Sequence, residues 1–254
     1  MSIRKKAAVV GMAVMLSAAV VAEQHQWGVD VTADFFGKYI WRGQNLTDST
    51  VFQPGVDLSY AGLTGSVWGN LDMTDVNDDR GKFNEWNFGI DYSDAVPGVE
   101  GVDFSIGAIY YRFPSASPSS TTELYWGFAF DVWLEPSVTV YHDVDEAKGT
   151  YVELGAGHSF EDVFHISPDV PVSVEIAASL GWADSDFNDF YWGVDSSRFT
   201  DLALSLALPM EIGGWTVAPS LNYVTLLSDR LRATNEYASK SDYVFAGLSL
   251  STGF

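Results

Sequence analysis

Acidic side chains recur at alternating positions through this chain. Asp30, Asp34, Asp57, Asp91, Asp103, Asp131 and Glu175 form one set, and Glu85, Glu123, Asp143, Asp145, Glu153 and Asp201 a second. A period of two places such residues on one face of an extended strand. Lined up along a wet, low-dielectric passage, unbalanced carboxylates concentrate cations and repel anions. Lys38 and Arg42 share the same parity, with Arg198 at the start of a later strand. Arg42 has two readings. It could be a cation at a pore mouth that tunes selectivity, or a lock that holds the first hairpin by bidentate bonds to a carboxylate. Arginine suits fixed carboxylate pairs, which favours the lock.

Other chemistry finds less support. Asp75-Val-Asn77-Asp78-Asp79-Arg-Gly81 and Asp184-Ser-Asp186-Phe-Asn188-Asp189 collect oxygen ligands. Neither has the helix-flanked spacing or the terminal bidentate Glu of a built calcium loop, so solvated acidic loops are the expectation. The histidines are His25, His142, His158 and His165. His142 and His158 fall on outward rows at opposite ends of neighbouring strands, which keeps them from sharing a metal. No Ser stands in the row of His142 to be activated. No catalytic residue, metal or cofactor is assigned, and the chain is not expected to be an enzyme.

The elements that must position these residues are strands. In residues 27–41 Trp27, Val29, Val31, Ala33, Phe35, Tyr39 and Trp41 share one face, while Asp30, Thr32, Asp34, Lys38 and Arg42 share the other. Phe36 and Ile40 break the polar row. Similar segments recur at 51–60, 64–73, 84–93, 102–112, 123–133, 137–145, 150–160, 172–183, 198–208, 215–224 and 243–254. About twelve strands, apolar on one face and polar on the other, predict an all-β, antiparallel, up-and-down transmembrane barrel. The connections sort into two sets, one short or marked by Pro and Gly and the other mostly longer and polar. That sorting places both termini on the periplasmic side of an outer membrane. Trp27, Trp41, Tyr60, Tyr92, Tyr110, Trp182, Trp215 and Tyr223 fall near strand ends on outward rows, as interfacial girdles do.

Both chain ends agree. Arg4, Lys5 and Lys6, an apolar stretch from Ala7 to Val21, and Val20-Val21-Ala22 compose a secretory leader cleaved after Ala22, leaving residues 23–254 as one barrel domain. At the other end, Val244, Ala246, Leu248, Leu250, Thr252 and Phe254 alternate with Gly247, Ser249 and Ser251, with Phe245 the exception on the polar row. Such a strand would leave an open edge unless it pairs with the first. Terminal Phe254 also resembles the signal read by the bacterial barrel-assembly machinery, an expected partner. Without the leader's three basic residues, the formal charge is 10 − 34 = −24. Nucleic acid is a poor partner for that surface. With no Cys, disulfides do not supply stability.

Tyr39-Ile-Trp-Arg-Gly-Gln44, Gln53-Pro-Gly-Val-Asp57 and Gly65-Ser-Val-Trp-Gly-Asn70 resemble the bacterial family of TorF-type porins, also catalogued as Gcw-type conserved proteins. The similarity covers residues 27–92. It implies passive transport and carries no agreed substrate or catalytic residue. The expectation is an outer-membrane, porin-like channel in contact with lipid and lipopolysaccharide. Its candidate pore-lining residues are Asp30, Asp34, Lys38, Arg42, Asp57, Asp91, Asp103, Asp131, Glu175 and Asp201, and its solutes are small cations or neutral molecules. The alternative is a non-conducting surface barrel whose acidic loops bridge ions or lipopolysaccharide. The loops at 74–83, 184–197 and 225–242 are the segments considered for ion binding or plugging.

Overall fold

The structure, a computed structural model, describes residues 27–237 and 240–254. The expected leader and His25 lie outside the described residues. The strands are β1 (Gly28–Phe36), β2 (Tyr39–Trp41), β3 (Gln44–Thr47), β4 (Val51–Tyr60), β5 (Leu63–Asp72), β6 (Phe83–Ala95), β7 (Val102–Arg112), β8 (Ser120–Phe130) and β9 (Ser137–Asp143). They continue as β10 (Thr150–Ser167), β11 (Val170–Ala183), β12 (Arg198–Ala207), β13 (Met210–Ile212), β14 (Trp215–Leu226) and β15 (Asp242–Gly253). Two short helices, α1 (Ser185–Trp192) and α2 (Asp229–Thr234), lie between strands. No helix among the described residues is long and apolar enough to cross a membrane.

Twelve antiparallel staves close on themselves. The short β13 pairs with both β11 and β14 beyond the end of β12, and so extends that stave rather than adding one. Closure joins β1 to β15 from Asp30↔Gly253 to Phe36↔Gly247. The seam runs to the last residue: Val29 N–H donates to the Phe254 carbonyl at 2.8 Å and Phe254 N–H donates back at 3.0 Å. Among the described residues the barrel sheet has no open edge to template aggregation. On the outer face Val56, Leu58, Phe88, Ile90, Ile106, Leu124, Trp126, Leu204 and Leu206 are exposed. The inner face carries Asp, Glu, Asn, Ser and Thr. An apolar exterior around a polar interior is what a barrel needs to sit in lipid.

Residues 28 and 253 mark the terminal end of the barrel. The loop end carries the longer connections 37–50, 73–82, 113–119, 184–197 and 227–241, while 144–149 is its one tight turn. Strand boundaries from the sequence hold to within a few residues, with three corrections. The first strand stops at Phe36, not 41. Residues 120–122 extend β8 backwards, and 131–133 lie outside it. Part of the expected turn at 161–171 is a continuation of β10 and β11, with register shifts at Phe160/Phe164 and His165/Ser167.

Beyond Phe36 the chain bends inward. β2 and β3 pair only with each other, through Tyr39↔Thr47, Ile40↔Asn45 and Trp41↔Gln44. At the tip, Arg42 (φ 48) and Gly43 (φ 79) both sit in left-handed conformations. Positive φ at both central residues is the signature of a type I′ turn, whose twist matches paired strands. Gly43 is required twice over, because a Cβ there would lie 2.6 Å from Leu226 Cδ2. The hairpin is buried: Ile40 is 0 % exposed, Gln44 1 % and Thr47 1 %. Its packing explains Phe36 and Ile40, the two breaks in the polar row. They join Tyr39, Val51, Val224, Tyr243 and Phe245 in an apolar core inside the barrel. Trp41, expected on the outer girdle, instead packs inside against Tyr111, Phe187 and Tyr191.

Candidate functional site

The loop half of the lumen is a built site centred on Arg42. Its guanidinium forms two bonds to Glu123 on β8, Nη1 to Oε1 at 2.6 Å and Nη2 to Oε2 at 2.8 Å. The Tyr111 hydroxyl of β7 donates to the same Oε2 at 2.9 Å and fixes the carboxylate from behind. Aromatic rings enclose the cation: Trp41 at 4.4 Å, Tyr141 of β9 at 4.5 Å, Tyr151 of β10 at 4.4 Å and Phe187 of α1 at 5.7 Å to their centroids. Electron-rich ring faces attract a cation most strongly when water is excluded. Here the two side chains of the ion pair are only 6 % and 2 % exposed. Arg42 thus acts as the lock anticipated from its type. Its carboxylate belongs to the opposite wall, however, and not to its own hairpin.

Further carboxylates hold the rest of the hairpin. Tyr39 donates to Glu85 Oε2 at 3.0 Å, and Asn87 Nδ2 donates to Glu85 Oε1 at 3.0 Å. Thr47 Oγ1 donates to Asp72 Oδ1 at 2.9 Å. Asn77 Nδ2 reaches Asp72 Oδ2 at 2.8 Å, Thr47 Oγ1 at 3.1 Å and the Leu46 carbonyl at 3.1 Å, so the 73–82 loop buttresses the plug. Asp201 accepts from Tyr151 at 3.1 Å and Thr200 at 2.7 Å, beside the hairpin tip. Asp143 accepts from Thr121 at 2.6 Å and from the backbone N–H of Asp145 at 2.9 Å, organising the tight 144–149 turn. At the hairpin base Lys38 pairs with Asp48, and the ammonium holds that carboxyl below its usual range.

The acidic loop at 184–189 is an element rather than a solvated tract. Asp184 caps α1, accepting from Phe187 N–H at 2.9 Å, and its second oxygen accepts from Thr150 N–H at 2.9 Å. The helix turns Phe187 and Trp192 into the lumen at 1 % and 3 % exposure. In the last long loop, α2 buries Leu231 at 1 % exposure against Leu226 and Trp192. A space of about 10 Å³ between Gly43, Trp192, Leu226 and Tyr243 is room for no more than a water molecule.

The ten candidate lining residues therefore divide. Arg42, Asp34 and Asp201 are buried in or beside the packed loop half, at 7 %, 8 % and 4 % exposure. Lys38 stands at the hairpin base. Asp57, Asp91, Asp103 and Glu175 are half-buried along the wall, while Asp30 and Asp131 are exposed toward the terminal end. Asp30 and Asp57 face each other across β1 and β4. Asp91 accepts from Tyr125 at 2.6 Å. The tyrosines at 111, 125, 141 and 151 were missed from sequence, although each shares the parity of a neighbouring lumen carboxylate and was open to the same reading. Among the described residues no three His, Cys, Asp or Glu side chains gather to hold a metal. His142 Nδ1 lies 3.0 Å from Thr150 Oγ1, its cross-strand neighbour on the outer face.

Comparison with known proteins bears on the architecture alone. No family model matches the chain. No curated protein matches it either. Solved structures do. The NanC porin is 13 % identical, with 88 % of this chain and 98 % of that one covered at a TM-score of 0.50. LpxR from Salmonella typhimurium is 9 % identical, with 89 % and 99 % covered at a TM-score of 0.53. The fold of this chain is the closed twelve-strand barrel of outer-membrane proteins.

Proposed function

We propose that the protein is an outer-membrane, porin-like channel for small solutes that prefers cations, closed at its loop end by the β2–β3 hairpin. The observation that carries this reading is the placement of charge. The ten Lys and Arg of the chain after the leader all lie at the loop end or in its loops: Lys38, Arg42, Arg80, Lys82, Arg112, Lys148, Arg198, Arg230, Arg232 and Lys240. The terminal half of the lumen keeps Asp30, Asp57, Asp91, Asp103 and Glu175 with no Lys or Arg among its described residues. A vestibule of that sign draws cations toward the seal. The resemblance of residues 27–92 to TorF-type porins and the apolar outer belt support the membrane setting. In that setting the termini face the periplasm, and the basic loop residues face lipopolysaccharide.

One observation favours a second reading, a non-conducting surface barrel: the hairpin and α1 fill the loop half of the lumen. Reversal potentials across a planar bilayer in a KCl gradient separate the two. The channel reading expects a cation-selective potential that Asp30→Asn and Asp57→Asn together shift toward zero. An anion-selective potential, or one indifferent to those changes, contradicts it. Absence of conductance even after the hairpin is removed establishes the second reading.

A further inference from the structure

The tip of the hairpin carries the wrong residue for its backbone. Both central positions of a type I′ turn favour Gly, Asn or Asp, and a left-handed non-glycine residue costs about 1–2 kcal/mol. At position 42, with φ 48, stands an arginine. The turn alone does not account for it, whereas the head group does: the guanidinium is delivered into a pocket that the barrel wall has already made. Glu123, Tyr111, Tyr141 and Tyr151 come from four consecutive staves, β7 to β10. The hairpin supplies only Arg42 and Trp41. Without it, a carboxylate braced by a phenol and flanked by two further ring faces would remain open to the lumen.

The wall also brings two further carboxyl side chains close to the cage. Asp201 accepts from the Tyr151 hydroxyl of the cage at 3.1 Å, and Glu153 stands two residues from Tyr151 on the same face of β10. These carboxyl groups beside bidentate Glu123 suit a ligand with a second positive group. A planar fork for the carboxylate and a face for each ring is the recognition chemistry of guanidinium.

We infer that this cage is a recognition site for organic cations bearing a guanidinium or primary ammonium head, and that Arg42 occupies it in the closed state as a built-in competitor. The inference rests on the channel reading above and names the class of solute. Such a cation displaces Arg42 from Glu123, and release of the hairpin unseals the loop end. Anions and sugars lack the head group that the cage accepts.

The test uses the refolded mature chain in detergent, with agmatine as probe and propionate as control, read by isothermal titration calorimetry. Removing the competitor in Arg42→Ala should tighten agmatine binding by about tenfold or more, since apparent affinity scales with the fraction of competent sites. Adding Glu123→Gln to that variant should abolish the gain, and propionate should bind none of them. Equal agmatine affinity in wild type and Arg42→Ala, or in Arg42→Ala with and without Glu123→Gln, would overturn the inference. If Arg42→Ala does not refold, a chain with residues 38–48 replaced by a Gly-Ser link vacates the same cage and carries the same expectation. KCl conductance of that chain separates the two proposals. Conduction without agmatine binding removes the site and leaves the channel, whereas binding without conduction removes the channel.

Discussion

Arg42 is where chemistry and stability meet. Removing one member of a buried pair leaves an uncompensated charge, typically at a cost of about 3–5 kcal/mol. Arg42→Ala and Glu123→Gln should each destabilise the barrel within that range, and the double variant by clearly less than their sum. Equilibrium unfolding in urea checks this; additive losses would mean that the two side chains act independently. Lys38–Asp48 makes a useful contrast. Its carboxyl titrates below its ordinary value, so its contribution is present above an unfolded pKa of about 4 and fades as pH falls through the lower folded value. With the Asp48 side chain 52 % exposed, Asp48→Asn should cost well under about 1 kcal/mol. The type of Arg42 was legible as a lock, but its partner was not. Glu123 lies 81 residues away, and nothing local announces the pairing.

At the scale of elements, the period of two revealed all twelve staves, because an apolar face toward lipid and a polar face toward water leave a regular trace. The hairpin left none. β2 has 3 residues and β3 has 4, too few for a pattern, and both faces are buried. The signal that existed was the set of apparent exceptions, Phe36, Ile40 and Phe245, which sit on the polar row because the lumen beside them is packed rather than wet. The helix α1 was hidden for a similar reason, since its acidic start reads equally as a cap and as a solvated loop. Asp184→Ala should remove that cap, cost about 1 kcal/mol and raise amide hydrogen exchange across 185–192. Unchanged protection there would assign the anchoring of α1 to Phe187 and Trp192 alone. Gly43→Ala should loosen the tip by clashing with Leu226, which is expected to raise channel opening in bilayer recordings while the barrel stays folded.

The whole molecule is a barrel of unequal halves. Toward the terminal end the lumen is polar, acidic and without Lys or Arg among the described residues; toward the loop end it is packed like a soluble protein core. In the channel we propose, such a division makes conduction depend on the β2–β3 hairpin, held through a few side chains beside α1. Single-channel recording in a KCl gradient, comparing wild type with a chain whose residues 38–48 are replaced by a Gly-Ser link, decides whether the hairpin closes a cation-preferring pore. The wild-type protein is expected to be closed most of the time, and the shortened chain to conduct steadily with a cation-selective reversal potential. A shortened chain that folds yet stays silent, or conducts with anion selectivity, would rule out a cation channel sealed by the hairpin.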